Sequence, residues 1–274
     1  MIARRLQYSL LYLVLIVLSL MVLYPFLFTV FSSFMTEKEV SVYPPPIFPS
    51  RPYLGNFIEA IETVPVLRFI LNSFIVAGAI TICQLITSSL AAYAFAFLQF
   101  RGKSALFMLF LSTMMIPWEV TIIPNYLTVK NWGWMDSYQG LIVPFMAGAF
   151  GVFLLRQFFL QLPHELIDAA KIDGCGHLRR FFTIVMPLAR PGLSTLGVYV
   201  FLHQWNSYLW PLLITNRPTM RTVQIGVAML QHEEVMSWNL ILAGVTLVLL
   251  PSLLLIVFGV KQLVRGITAG AVKG

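Results

Sequence analysis

Six runs of residues almost free of charge organise this chain. Leu6 to Thr36, Phe69 to Phe100, Ser137 to Leu155, Pro191 to Asn216 and Val235 to Val260 carry no Asp, Glu, Lys or Arg. Ser104 to Val129 carries one such residue, Glu119. About 20 apolar residues take a helix across the hydrocarbon core of a bilayer, so each run suits one crossing. A membrane β-barrel would instead show alternation in segments of about ten residues, and these runs show none. The predicted architecture is all-α and polytopic. It is a single transmembrane domain over residues 1–274, with six helices at about 8–33, 69–98, 104–128, 137–158, 191–214 and 239–262.

Composition agrees with the pattern. Hydrophobic residues make up 58% of 274 and charged ones 11%, against roughly 25% charged in an average soluble chain. So few charges cannot cover the surface of a soluble domain, which excludes an ordinary cytosolic enzyme and a disordered chain. Two cysteines, Cys83 and Cys175, exclude a disulfide framework. Arg4 and Arg5 precede the first run as in a signal peptide. That run is about twice the usual length, and no small-x-small cleavage site follows, so a retained anchor is expected.

The net charge of +7 points to nucleic acid or to topology, and sorting it decides. With the N-terminus in the cytoplasm and six crossings, 12 basic residues fall inside: Arg4, Arg5, Arg101, Lys103, Arg156, Lys171, Arg179, Arg180, Arg190, Lys261, Arg265 and Lys273. The outside holds 6, at Lys38, Arg51, Arg68, Lys130, Arg217 and Arg221. This bias places both termini in the cytoplasm.

Between the crossings, Tyr43 to Pro49 contains three consecutive prolines and reads as an extended stretch. Glu59 to Arg68 is expected to form a short surface helix, and Thr215 to Ser237 a polar outer loop. Gly102, Lys103 and Ser104 resemble the end of a phosphate-binding loop. The first glycine of that motif would stand at 97, which is Phe97, so the segment reads as a basic turn.

The informative loop is 162–190, expected in the cytoplasm. Pro163 suits the first turn of a helix and Gly174 the left-handed residue after its end. Leu166, Ala169, Ala170 and Ile172 give the helix an apolar side; Glu165, Asp168 and Lys171 give it a charged side. A helix of about ten residues is marginal alone in water and needs a surface. That surface is either its own bundle or a partner protein.

This loop resembles the EAA motif of permease subunits of ABC importers. The motif stands here as Asp168-Ala169-Ala170-Lys171-Ile172-Asp173-Gly174, followed by Phe181, Phe182, Ile184, Pro187, Leu188 and Pro191. Asp168 replaces the usual Glu, and Cys175 a usual Ala. The tail from Val264 to Gly274 looks like that of carbohydrate-type importers. Arg156 to Phe159, Trp205 to Pro211, Met115 to Val120 and Met135 to Tyr138 look most like glycerol-3-phosphate permeases, with maltose-type permeases next.

The resemblance implies the type I importer fold in the cell (inner or plasma) membrane. It implies a second homologous permease subunit, two ATP-binding cassette ATPase subunits and an extracytoplasmic substrate-binding protein. ATP and Mg would sit on the ATPase subunits, with no cofactor and no catalytic residue on this chain. Glu165, Asp168, Ala169, Ala170, Asp173, Gly174, Phe182 and Pro187 would form the ATPase-coupling loop. The transported solute would be sn-glycerol-3-phosphate or a related glycerophosphodiester or polyol.

Polar residues inside the spans are candidates for the substrate path. Glu119 lies roughly 22 Å into the third span at 1.5 Å per residue. It either lines a cavity or is paired with a neighbour. In the fifth span Gln204, Trp205, Asn206 and Tyr208, beside His203, bring donors and aromatic faces suited to a polyol or sugar. The same residues also suit helix packing. Asn72, Gln84 and Asn125 read as interhelical hydrogen bonds, and Ala77, Gly78, Ala91, Ala92, Gly148 and Gly151 as close-packing positions. The histidines show no metal-ligand spacing. Two alternatives stay open: a maltose-type oligosaccharide importer subunit, and a membrane enzyme acting on lipid headgroups.

Overall fold

The computed structural model describes the backbone of residues 2–232 and 238–269, and side chains over 7–229 and 238–254. In chain order the helices are α1 Ile2–Ser32, α2 Glu37–Val40, α3 Gly55–Thr63, α4 Val66–Phe97, α5 Lys103–Ser112, α6 Trp118–Asn131, α7 Tyr138–Ile142, α8 Ala149–Leu160, α9 His164–Ile172, α10 His177–Arg180, α11 Met186–Leu188, α12 Arg190–Trp205, α13 Leu209–Ile214, α14 Val223–His232 and α15 Trp238–Ala269. The charges at Arg4, Arg5, Lys261 and Arg265 belong to side chains outside that description. Lys273 and the end of the resembling tail, residues 270–274, lie wholly outside it.

Among the described residues, two single helices are long and apolar enough to cross a membrane, residues 7–32 of α1 and α4. Three further expected crossings are broken. The third bends by 94° between Met115 and Trp118, and the fourth by 44° between Phe145 and Ala149. The fifth is interrupted at 206–208 and is preceded by a 77° bend at Ala189. Proline explains the first break: Pro117 offers no N–H and pushes Ile116 to extended backbone, with ψ at 115°. Glu119 therefore stands in the first turn of α6, just past the break, and a straight 22 Å path from the far end does not exist.

The short helix expected over 59–68 is displaced. It runs as α3, Gly55–Thr63, and ends because Pro65 forces Val64 into extended backbone; Val66 then starts α4. The described part of loop 215–237, residues 215–232, is also more ordered than its polarity predicts. It holds a 3₁₀ turn, Pro218–Met220, and α14, with Val223 and Ile225 buried.

The chain forms two compact units, residues 1–67 with 226–250, and residues 68–225 with 251–274. In the first, α1 exposes its apolar side chains from Tyr8 to Leu27, which suits a lipid or protein environment and not water. Two carbonyls just past its end find a partner nonetheless. The buried Asn56 amide donates to Ser33 O at 2.8 Å and Met35 O at 2.7 Å, and its Oδ1 accepts from Asn239 at 2.7 Å. Asn56→Ala would strand all three groups. It should cost about 2–3 kcal/mol on mutational scales for unsatisfied buried groups, read as a lowered Tm of the purified protein in detergent. Nearby, Glu39 accepts from the backbone and hydroxyl of both Thr36 and Ser50. Those bonds, Ser50 first, hold its carboxyl down at about 2.

In the second unit, Ile80, Leu155, Phe159, Val185, Leu196 and Ile214 form the centre of a continuous apolar core. Asn72 on α4 donates to Thr219 O and Arg221 O and accepts from the Tyr138 hydroxyl, the interhelical role its position predicts. Gly151 packs against Ser88, so closely that a Cβ there would overlap its Oγ. Gly78 differs: nothing lies within 4 Å of the place its Cβ would take, so it is not a close-packing position. The turn at Gly102 is structural. Lys103 Nζ donates to Leu98 O at 2.8 Å and Ala96 O at 3.3 Å, satisfying the last carbonyls of α4.

Candidate functional site

Three helix interruptions meet around one cleft in the second unit. The breaks at 116–117, 146–148 and 206–208 leave Trp118, Glu119, Phe145, Gly148, Ser207 and Trp210 around its wall. Irregular backbone is tolerated at membrane depth where it faces protein or a cavity. Its freed carbonyls need donors, and α4 supplies two. Gln84 Nε2 donates to Phe145 O at 2.9 Å, and Thr87 Oγ1 to Met146 O at 3.0 Å. Gln84 also lines the cleft, so it both mends the break and faces the cavity.

The cleft has two lobes of about 520 and 480 Å³ that share Trp118, Tyr199, His203, Ser207 and Trp210. Either fits a small-molecule site, typically about 300–1,000 Å³. Trp118, Phe145 and Trp210 form an aromatic triad with centroids 5.2 to 5.7 Å apart. The Trp210 indole N–H is held by Gly140 O at 3.1 Å, which fixes that ring. Tyr199 and His203, one turn apart on α12, stack with centroids 6.0 Å apart. Among the described lining residues Glu119 is the only carboxylate, and no Lys or Arg lines either lobe.

The sequence candidates divide. Glu119 and Gln204 line the larger lobe; Asn206 and Tyr208 line the smaller. Asn206 is also engaged locally, donating to Leu202 O at 2.9 Å and accepting from Gln224 at 3.3 Å. Trp205 is off the wall. It is 1% exposed and packs edge-on to Phe74 at 4.8 Å, beside Phe201. One residue turns a helix by about 100°, which rotates Trp205 away from the face that Gln204 shares. Trp118, Phe145, Tyr199 and Trp210 were not candidates on sequence. The available signal was their placement beside Pro117, Pro144 and the polar cluster at 203–208.

The second constellation is loop 162–190. Helix α9 runs His164–Ile172, with Pro163 at its N-cap and Gly174 in the left-handed region at φ +70°. Gly174 N–H donates to Lys171 O at 3.0 Å and Cys175 N–H to Ala170 O at 2.8 Å, the paired bonds of a Schellman stop. The buried side differs from the expected one. Ile167 and Ala170 face inward, while Leu166 and Ile172 are exposed, Ile172 at 86%. Ala169 and Glu165 are exposed as well. Asp168 pairs with Lys171 at 2.7 Å, and that hydrogen bond holds its carboxyl below the usual range. Phe181 is buried, whereas Phe182 is 62% exposed beside the exposed Leu178, and Pro187 is exposed in α11. The loop thus offers an uncovered ridge of apolar side chains flanked by carboxylates.

The residues of both constellations fall within one family match. The family of binding-protein-dependent transport system inner membrane components matches residues 84–268. The sn-glycerol-3-phosphate transport system permease protein UgpE of Rhizobium meliloti is 34% identical over 265 residues, covering 93% of this chain and 94% of that protein. UgpE of Yersinia pestis is 36% identical over the same lengths. The crystal structure of a bacterial ABC transporter involved in import of the acidic polysaccharide alginate contains a chain with the same fold. Its TM-score is 0.81 at 20% identity, covering 95% of this chain and 96% of that one. This chain belongs to the family of binding-protein-dependent transport system inner membrane components and is a membrane-embedded permease subunit of a sugar-type ABC importer.

Proposed function

We propose that the chain is one half of a heterodimeric pore that imports sn-glycerol-3-phosphate or a related glycerophosphodiester or polyol. The observation that carries this reading is full-length identity of 34–36% to relatives named for that transport. In this reading the whole chain is one permease domain with six crossings and both termini in the cytoplasm. The broken third, fourth and fifth crossings surround the substrate path. Two ATPase subunits supply the hydrolysis, a second permease subunit completes the pore, and an extracytoplasmic binding protein delivers the solute. The exposed ridge of α9 docks on an ATPase subunit, with Leu166, Ala169, Ile172 and Phe182 covered in the complex. An alternating-access cycle follows: displacement of α9 by the ATPase moves the helices around the cleft.

The cleft supports a polyol end of the substrate. Hydroxyl groups find Gln204, His203, Ser207 and Tyr199 there, and carbon skeletons find indole faces. A phosphate would meet no fixed cation on this wall and one carboxylate, Glu119. The subunit is therefore assigned the glycerol moiety, and the phosphate to other surfaces of the pore.

Uptake of labelled sn-glycerol-3-phosphate by cells carrying the complete importer, and lacking their own, is the direct test. Import of maltose-type oligosaccharides instead would replace the reading with its rival. Gln204→Ala should lower uptake about 3- to 10-fold, the scale of one lost hydrogen bond, with assembly unchanged. Cys175, partly exposed, checks the topology: an impermeant thiol reagent should label it in inverted vesicles and not in intact cells.

A further inference from the structure

Within loop 162–190 lies a charged group that neither the cleft nor the docking ridge uses. Arg180, the last residue of α10, is 5% exposed. Its Nη2 donates to Cys175 O at 2.8 Å, which ties the end of α9 to α10; Tyr93, near the end of α4, lies against the same segment. His177 Nδ1 lies 3.5 Å from the same hydroxyl, and the Phe181 ring packs edge-on to Tyr93 at 5.3 Å. Among the described residues the one ion pair is Lys171 with Asp168, so no carboxylate is in contact with Arg180.

A buried charge without a counter-ion is a poor device for stability. Apolar residues of similar volume often serve a core equally well or better. What the guanidinium supplies is a planar, rigid group that aims Nη2 at the Cys175 carbonyl. The backbone of Cys175 is gripped from both sides: its N–H bonds to Ala170 of α9, its C=O to Arg180. Without that grip, Cys175 stands between two glycines, Gly174 and Gly176, with its own backbone bonded only on its α9 side. Arg180 is followed directly by a π-helical turn, Phe181–Val185. Beyond that turn and the 77° bend, α12 carries Tyr199, His203 and Gln204 to the cleft. One-turn π segments recur at functional sites.

We propose that Arg180 is a positioning residue for transport: its guanidinium locks the end of α9 to α10, and His177 and Phe181 rest that segment on Tyr93 of α4, so that displacement of α9 moves α4 and α12 as one body. The inference rests on the reading of α9 as the ATPase-docking helix. It assigns Arg180 no contact with substrate or nucleotide.

The complete importer, reconstituted in proteoliposomes with its ATPases, second permease and binding protein, provides the test. The readout is ATP hydrolysed per solute imported, a ratio that a merely structural defect does not move. In Arg180→Met the assembled complex should hydrolyse ATP while the ratio rises at least about fivefold, the low end of measured couplings between sites. Arg180→Lys, which keeps the charge and loses the fork, should fall between, and Tyr93→Phe should raise the ratio less. A wild-type ratio in Arg180→Met overturns the inference. If that variant does not assemble, unchanged ratios in both Arg180→Lys and Tyr93→Phe overturn it. Failure of the docking reading is separable: the ATPase would then co-purify with a chain lacking residues 168–174, and such a complex would import normally.

Discussion

Gly140→Val should yield little folded protein. Gly140 lies in α7 against the turn before it, and a Cβ there would overlap the Trp134 carbonyl oxygen. Val129 Cγ1 and Ile214 Cγ2 stand 3.1 and 3.2 Å from the same point, so the atom has no direction in which to relax. Nor can the carbonyl retreat at low cost. Trp134 N–H is bonded to Val129 O, and two residues on Asp136 N–H is bonded to Ile214 O. Asp136 then accepts from the backbone N–H of Asn216 and Arg217. Overpacking of this kind costs about 1–3 kcal/mol, more where backbone is the obstacle. The Gly140 carbonyl also holds Trp210, so the aromatic wall of the cleft would shift with it. Gly78→Ala is the internal control. Its Cβ meets open space on a helix, and alanine is favoured there by about 1 kcal/mol. Thermal unfolding in detergent should show opposite signs for the two variants. A stable Gly140→Val protein would mean that the packing around α7 is looser than described.

Deleting residues 168–174 should bring uptake to background. The deletion removes the second half of α9 with its Schellman stop, and with it Ile172 and the Asp168–Lys171 pair. It leaves Ile167 in the core, so the membrane part should still insert. The measurements are uptake and co-purification of the ATPase subunits, and both should be lost. Single changes should be milder. Gly174→Val places a β-branched residue at φ +70°, a strain of about 1–2 kcal/mol. Its effect should be a partial loss of uptake.

The lipid-soluble runs were legible because uncharged length is what a bilayer selects. Helix α9 was legible to within a residue at each end, because proline and glycine are local signals that tertiary packing does not override. Its orientation was not. Four apolar residues at 166, 169, 170 and 172 read as a packing face, yet Ile167 and Ala170 pack and Leu166 and Ile172 do not. An apolar residue meant for a partner protein looks the same in sequence as one meant for the core. The breaks in the crossings were half legible. Pro117 stood in plain view, but a run of uncharged residues records solubility in lipid and says nothing of straightness. The interruption at 206–208 carries no proline at all. Trp205 misled for a related reason. Neighbours in sequence share a neighbourhood only in extended chain, and on a helix they look in different directions.

The charge on the cleft wall bears on time as well as on recognition. An anion passing a surface with one carboxylate and no Lys or Arg gains little electrostatic hold from it. Differences in affinity between related complexes reside mostly in the dissociation rate, so dwell in this cleft would be brief. Adding a fixed cation would lengthen the stay of each molecule and slow its release to the far side. A pore fed by a separate binding protein can leave tight capture to that protein and keep its own grip weak, so that throughput follows the ATP cycle rather than the escape of the cargo.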